Sequence, residues 1–191
     1  MKQKSVPAGR IDEKGRLILP DEVSRRHGLK PGATLPIIEN EHSVLLRRPV
    51  SHLAKVYIEP TSHCNLTCRT CIRNTWDEPM GSMERATFER AIDGLRAFDP
   101  PPTIVFGGFG EPLCHPAIAS MVAAARGIGA QVELITNGTL LTNDVSLELA
   151  EAGLDVLWVS LDGSTVEGYG GVRPGAELDE VVANVMNFRT V

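Results

Sequence analysis

Three cysteines stand at a C-x3-C-x2-C spacing in the run Cys64-Asn-Leu-Thr-Cys68-Arg-Thr-Cys71. Thiolates are soft ligands. Three of them in one tight loop can hold three irons of a [4Fe-4S] cluster and leave the fourth iron open for chemistry. A single zinc ion is the competing reading, because cysteine-rich loops commonly bind zinc. Zinc would need a fourth ligand, for which His63, Cys114 and His115 are the candidates, and the sequence holds no second C-x2-C pair. A disulfide framework fits less well, since three of the four cysteines share one loop and no secretory signal is legible.

The elements around this loop follow from local pattern. Val56-Tyr-Ile58 is a short buried-type strand that delivers the chain into the cysteines. After them, Ser82 is placed to cap a helix whose Phe88, Ile92 and Leu95 share one face. Thr103-Ile-Val-Phe106 is a second strand, running straight into Gly107-Gly-Phe-Gly-Glu-Pro112, where glycines let a backbone approach a ligand closely. A helix from Pro116 to about Ile128, a strand from Gln131 to Ile135 ending at Thr136-Asn137-Gly138, and a helix from about Asn143 to Ala152 come next. The fourth strand, Asp155 to Leu161, has a near-continuous apolar run that fits a parallel strand covered on both faces. Strands alternating with helices give a parallel α/β sheet, whose ligands gather at the carboxyl ends of the strands.

The cysteine loop and the glycine turn, one helix and one strand apart, resemble those of the radical S-adenosylmethionine (SAM) enzymes from about Val56 onward. That resemblance implies a cluster held by Cys64, Cys68 and Cys71, with the amino and carboxylate groups of SAM on the open iron. An electron delivered by a ferredoxin or flavodoxin would cleave SAM to methionine and a 5'-deoxyadenosyl radical, which takes a hydrogen from the substrate. It also implies cofactor-binding roles for Gly107, Gly108, Gly110, Glu111 and Pro112 at the SAM amino group. Asn137, Ser160 and Asp162 would line the ligand face, and Arg173 would pair with the SAM carboxylate. A solvated surface charge is the other reading of Arg173.

The longer stretches Glu59 to Trp76, Phe106 to Leu113 and Glu133 to Gly138 resemble the radical SAM proteins that modify the cofactor of tungsten-containing aldehyde oxidoreductases. The implied substrate is a cofactor precursor or, alternatively, a peptide. Two features depart from the family pattern: Thr70 replaces an aromatic residue before the last cysteine, and residues 51–191 supply only about four strand-helix units. The expected fold is therefore α/β, a partial (β/α) barrel of radical SAM type, truncated inside a fourth helix and open at its fourth strand.

Residues 1–50 differ in charge and pattern. They carry 10 Lys/Arg and 6 Asp/Glu, a net of +4 against −9 for the remainder, so the boundary is expected near Pro49. A hairpin around Lys14-Gly15, a short helix from Asp21 to His27 closed by Gly28, and strands near 35–38 and 44–46 are predicted, with Pro36 inside a strand. This order, from Arg10 to Pro49, resembles the AbrB/SpoVT swapped-hairpin domain, a small mainly-β fold. The family interleaves two copies, because about 45 residues cannot bury a core alone, and commonly binds DNA. Arg10, Lys14, Arg16, Arg25 and Arg26 are the phosphate-contacting candidates. DNA contact and plain dimerisation both remain open, and so does the reading of the whole chain as a DNA-binding regulator with a redox-sensing or vestigial cluster domain.

Composition is that of an ordinary globular protein, 42% hydrophobic and 23% charged. No apolar run approaches the roughly 18 residues of a membrane span, and the free thiols imply a reducing cytoplasm.

Overall fold

A computed structural model describes residues 7–32, 34–47, 52–75 and 77–191. The chain divides into two compact units, Met1–Ser51 and His52–Val191. Pro49, at the expected boundary, and Trp76, at the end of the cysteine-bearing stretch, lie outside the described residues.

The first unit has two antiparallel hairpins, β1 (Arg10–Ile11) with β2 (Leu17–Ile18) and β3 (Ile37–Asn40) with β4 (Ser43–Leu46). Gly15 takes the positive φ of 75° that the first turn needs. The helix α1 (Asp21–Arg26) has acids in its first turn and bases in its last, and Gly28 follows at φ 64°. Pro36 sits just before β3 rather than inside a strand. No ladder donor is therefore lost, and its carbonyl accepts from Arg47 N at 3.0 Å. Among the described residues of this unit no side chain is fully buried.

The second unit is built on a four-stranded parallel sheet in the order β5 (Lys55–Ile58), β6 (Thr103–Phe106), β7 (Val132–Thr136), β8 (Val156–Val159). Ile58, Ile104, Phe106, Val132 and Leu134 point to one face. There they meet Phe88, Ile92 and Leu95 of α2 (Arg85–Leu95), Ile118, Met121, Val122 and Ala125 of α3 (Ile118–Gly127), and Leu149 of α4 (Asn143–Glu151). Each of these side chains larger than alanine contributes roughly 1.5–3 kcal/mol on burial. Thr142 caps α4 by accepting from Val145 N. Ser82 does not cap α2: its hydroxyl pairs with that of Thr61 at 2.9 Å, and Glu84 holds the cap position.

The opposite face of the sheet carries polar and aromatic groups. Glu133 accepts from Lys55 Nζ at 3.0 Å and from Trp158 Nε1 at 2.9 Å, with Tyr57 and Trp158 exposed beside the pair. The expected covering of the fourth strand on both faces is therefore not found. β8 is an edge of the sheet, and its Trp158 is half-exposed. Between β8 and α6 (Leu178–Phe188) the chain forms one further helix, α5 (Val166–Val172), which Gly168, Gly170 and Gly171 conceal from helix propensity. The last helix ends at Phe188, before the final residue.

Candidate functional site

The cysteine loop begins one residue pair after β5 and is stapled at its base. Ser62 N donates to Gly81 O at 2.9 Å, Met83 N to Pro60 O at 2.7 Å, and the Thr61 hydroxyl to Gly81 O at 3.0 Å. Leu66, between the first two cysteines, is buried against Tyr169, Ala176 and Val181. Arg69 N then donates to Val172 O at 2.9 Å, so the short helix α5 supports the far side of the loop.

The glycine turn is clamped on the same end of the sheet. One carboxylate oxygen of Glu59 accepts from Phe109 N at 2.6 Å and Gly110 N at 3.0 Å. A Cβ on Gly108 would stand 2.6 Å from the Glu59 side chain, so a larger residue there would displace the clamp. Glu111 is buried, and its carboxylate accepts from the Thr136 hydroxyl at 2.7 Å, Leu113 N at 3.1 Å and Asn137 N at 2.7 Å. Burial pushes its carboxyl up, while those donors pull the other way. Glu111 thus ties the turn after β6 to the end of β7.

At the end of β8 the pattern continues. Arg173, which closes α5, is buried, and its Nε and Nη2 donate to Asp162 at 2.9 and 2.7 Å. Its guanidinium lies 5.7 Å from the Tyr169 ring centroid. A solvated Arg173 is thereby excluded, and the guanidinium already has a carboxylate partner.

A cleft of about 200 Å³ collects Cys64, Cys68 and Cys71 with Thr70, Gly108, Gly110, Glu111, Asn137, Ser160, Asp162 and Arg173. Gly107 and Pro112 are outside its lining: Gly107 packs on Ile135, and Pro112 opens a buried 3-10 turn. The three cysteines are free, half-buried thiols. Burial raises the Cys68 thiol, the charges of Cys64 and Cys71 add to that, and Arg173 opposes it. Three thiols within electrostatic reach in one cleft, beside a cationic side chain, fit a cluster with each cysteine on its own iron.

Zinc fits less well. A zinc ion would need a fourth ligand beside the three cysteines. His115 is engaged structurally, with Nδ1 accepting from Ala117 N at 3.2 Å and Nε2 facing Met83 O at 3.3 Å. Cys114 lies in the 3-10 turn outside the cleft lining, and His63 contributes its carbonyl, which accepts from Glu111 N at 2.8 Å.

In the first unit, Arg16 pairs with Asp12 at 2.7 Å, Arg26 pairs with Glu22, and Arg25 Nε donates to Asp21 O at 3.4 Å. Arg10 and Lys14 flank the β1–β2 turn and are exposed. Glu59, Asn65, Thr136 and Tyr169 are structural members of the site that pattern alone misses. Their partners lie tens of residues away, as with Glu59 and the turn some 50 residues on.

The Radical SAM superfamily pattern matches residues 58–191. The chain belongs to the radical SAM superfamily. Members of this superfamily use a [4Fe-4S] cluster and SAM. Over 107 residues the chain is 39% identical to the tungsten-containing aldehyde ferredoxin oxidoreductase cofactor-modifying protein of Pyrococcus furiosus, covering 56% of this chain and 30% of that one. It is 36% identical over 121 residues to an AdoMet-dependent heme synthase of Methanosarcina barkeri, covering 62% and 34%. The chain thus spans about a third of the length of these radical SAM relatives. Among solved structures, native anSMEcpe with bound AdoMet superposes with a TM-score of 0.61 at 21% identity, over 72% of this chain and 42% of that one. BtrN in complex with AdoMet and 2-DOIA gives 0.55 at 24%, over 70% and 56%. These likenesses establish a partial β/α radical SAM fold.

Proposed function

We propose that residues 52–191 form the SAM-cleaving part of a radical SAM enzyme that acts on a cofactor precursor. The observation that carries this reading is the single cleft in which three cysteines, the glycine turn and the ends of β7 and β8 meet. The name of the Pyrococcus furiosus relative points to a metal cofactor as the class of substrate. A peptide is the alternative, suggested by Streptococcus suis SuiB bound to its precursor peptide SuiA. Cys64, Cys68 and Cys71 would hold the cluster, which when bound supplies the electron that cleaves SAM into methionine and a 5'-deoxyadenosyl radical. The backbone of Gly108 to Gly110, held by Glu59, shapes one wall for SAM. Ser160, Asp162 and Arg173 form the other, where the fixed guanidinium favours negative charge. The buried Leu66 and Tyr169 hold the loop rigid. A ferredoxin or flavodoxin is the proposed electron donor.

The test is anaerobic reconstitution with iron and sulfide, reduction, and electron paramagnetic resonance with and without SAM. A [4Fe-4S] signal that changes on adding SAM supports the reading. Zinc in place of iron, or a cluster indifferent to SAM, overturns it.

For the first unit, the lack of buried side chains among its described residues favours a homodimer in which a second copy covers the hairpins. DNA binding by the same unit is the lesser reading, because Arg16 and Arg26 are already paired with acids of their own unit. A duplex titration checks it: phosphate binding through Arg10 and Lys14 would weaken steeply with salt. No helix among the described residues is long and apolar enough to cross a membrane.

A further inference from the structure

Asn137 stands at the carboxyl end of β7, and its side chain closes a ring of hydrogen bonds with two neighbours. The Asn65 amide donates to the Thr139 hydroxyl at 2.7 Å, and that hydroxyl donates to Asn137 Oδ1 at 2.7 Å. The Asn137 amide donates to Asn65 Oδ1 at 3.0 Å. The orientation of the Asn137 amide is fixed by Thr139 N, a donor that cannot be reversed, at 2.9 Å from Oδ1. Nδ2 must therefore face the cysteine loop. One of its hydrogens serves Asn65, and the other faces Cys64 Sγ at 3.8 Å. The same sulfur accepts from Leu66 N at 3.4 Å. Among the described residues Cys64 is the one of the three cysteines whose sulfur faces a side-chain amide, which sets it apart from the other two.

We infer that Asn137 tunes the cluster through Cys64, its amide donating to the ligating sulfur and raising the cluster's reduction potential. The inference rests on the cluster-binding reading of the three cysteines given above. The physical reason is charge. Reduction adds an electron that spreads onto the sulfurs, and an N–H aimed at sulfur stabilises the more negative state most. Asn137 is thus a positioning residue acting through Cys64, distinct from a ligand. Its backbone is anchored independently, because its N–H donates to the buried Glu111 at 2.7 Å, so a side-chain change leaves the strand end in place.

The experiment is a redox titration of the reconstituted 191-residue chain, followed by electron paramagnetic resonance, for wild type, Asn137→Ala, Asn137→Asp and Thr139→Val. Asn137→Ala should shift the midpoint to more negative potential, leaving roughly tenfold less reduced cluster at a fixed potential. Asn137→Asp should shift it further, since a carboxylate then faces the thiolate. Thr139→Val keeps the backbone N–H that orients Asn137 and should shift it least. If Asn137→Ala takes up less iron than wild type, Asn137→Ser is titrated in its place. A wild type that forms no cluster overturns the cluster reading and this inference with it. A loaded wild type whose midpoint equals that of the alanine or serine variant overturns this inference alone, as does a Thr139→Val shift as large as theirs.

Discussion

Gly110 and Thr61 approach so closely that a Cβ on Gly110 would stand 1.9 Å from the Thr61 carbonyl oxygen and 2.8 Å from that of His63. Both neighbours are backbone, so neither can swing aside. Gly110→Ala must therefore push the glycine turn and the cysteine loop apart. Overpacking of this kind costs roughly 1–3 kcal/mol where side chains can adjust, and the cost here should lie at or above the top of that range. A lowered urea midpoint and iron uptake reduced several-fold are expected. Gly94 is the control: nothing lies within 4 Å of the Cβ it would gain in α2. Gly94→Ala should raise stability by about 0.5–1 kcal/mol.

Glu59 holds the same turn from below. Its removal leaves Phe109 N and Gly110 N without the carboxylate that now accepts from both. Glu59→Ala should cost about 1–3 kcal/mol and weaken SAM binding, while Glu59→Gln, which keeps an acceptor oxygen, should retain most of both. Equilibrium dialysis of SAM against the reconstituted variants measures the second effect. Equal affinity in all three proteins would show that the turn keeps its shape without the clamp.

The parts of the fold legible in the sequence are those whose cause is local. The i, i+4, i+7 spacing of Phe88, Ile92 and Leu95 predicts the buried face of α2, and Gly15 and Gly28 mark turns that need positive φ. The cysteines, the glycine turn and the end of β7 are legible as motifs, and they do line one cleft. What escapes is nonlocal. Glu59 gives no signal because its partners come from the far side of α2. The helix α5 is hidden by three glycines, and its ending at Arg173 decides whether that side chain is solvated or buried. Pro36 and Ser82 show a local rule displaced by a neighbour: one residue of register for the proline, and the Thr61 hydroxyl for the serine.

The raised Glu111 carboxyl makes stability depend on pH. Burial lifts it above its ordinary value of 4.5, so the folded chain holds this proton more tightly than the unfolded chain. Its contribution is therefore fully present below the unfolded value, falls as pH rises through the folded value, and is level above that. Glu111→Gln carries no such proton. The difference in unfolding free energy, wild type minus variant, should decline with rising pH from about 4.5 and then flatten. Urea midpoints from about pH 4 to pH 8 give the curve, and a difference that rises with pH would reverse the assignment.

The hairpin of β3 and β4 is apolar on both faces. Ile37 and Val44 project to one side, at 63% and 64% exposure, and Ile38 and Leu45 to the other. On an isolated chain, Ile37→Asp would be a surface change worth at most about 0.5 kcal/mol. In a dimer that covers this hairpin, the same change buries an unpaired charge. Sedimentation of the full chain should therefore show wild type as a dimer and Ile37→Asp, or Val44→Asp, as a dissociating species. A monomeric wild type would remove the dimer proposal.

Arg173 and Asp162 form a pair of unequal burial, with the guanidinium 7% exposed and the carboxylate 49%. Breaking a fully buried pair typically costs 3–5 kcal/mol, but solvent at Asp162 screens this one, and Asp162→Asn should cost about 1–2 kcal/mol. Arg173→Met should cost more than its lost charge suggests, because the guanidinium also covers the Tyr169 ring. The coupling energy from the double variant separates the pair from that packing. The same variants test the expected role of Arg173 toward SAM. If the SAM carboxylate competes with Asp162 for the guanidinium, Asp162→Asn should tighten SAM binding and Arg173→Met should weaken it. If instead the pair acts as one fixed wall of the cleft, both substitutions should weaken binding. Equilibrium dialysis on equally loaded protein distinguishes the two by sign, and an unchanged affinity in Arg173→Met would remove Arg173 from the SAM site.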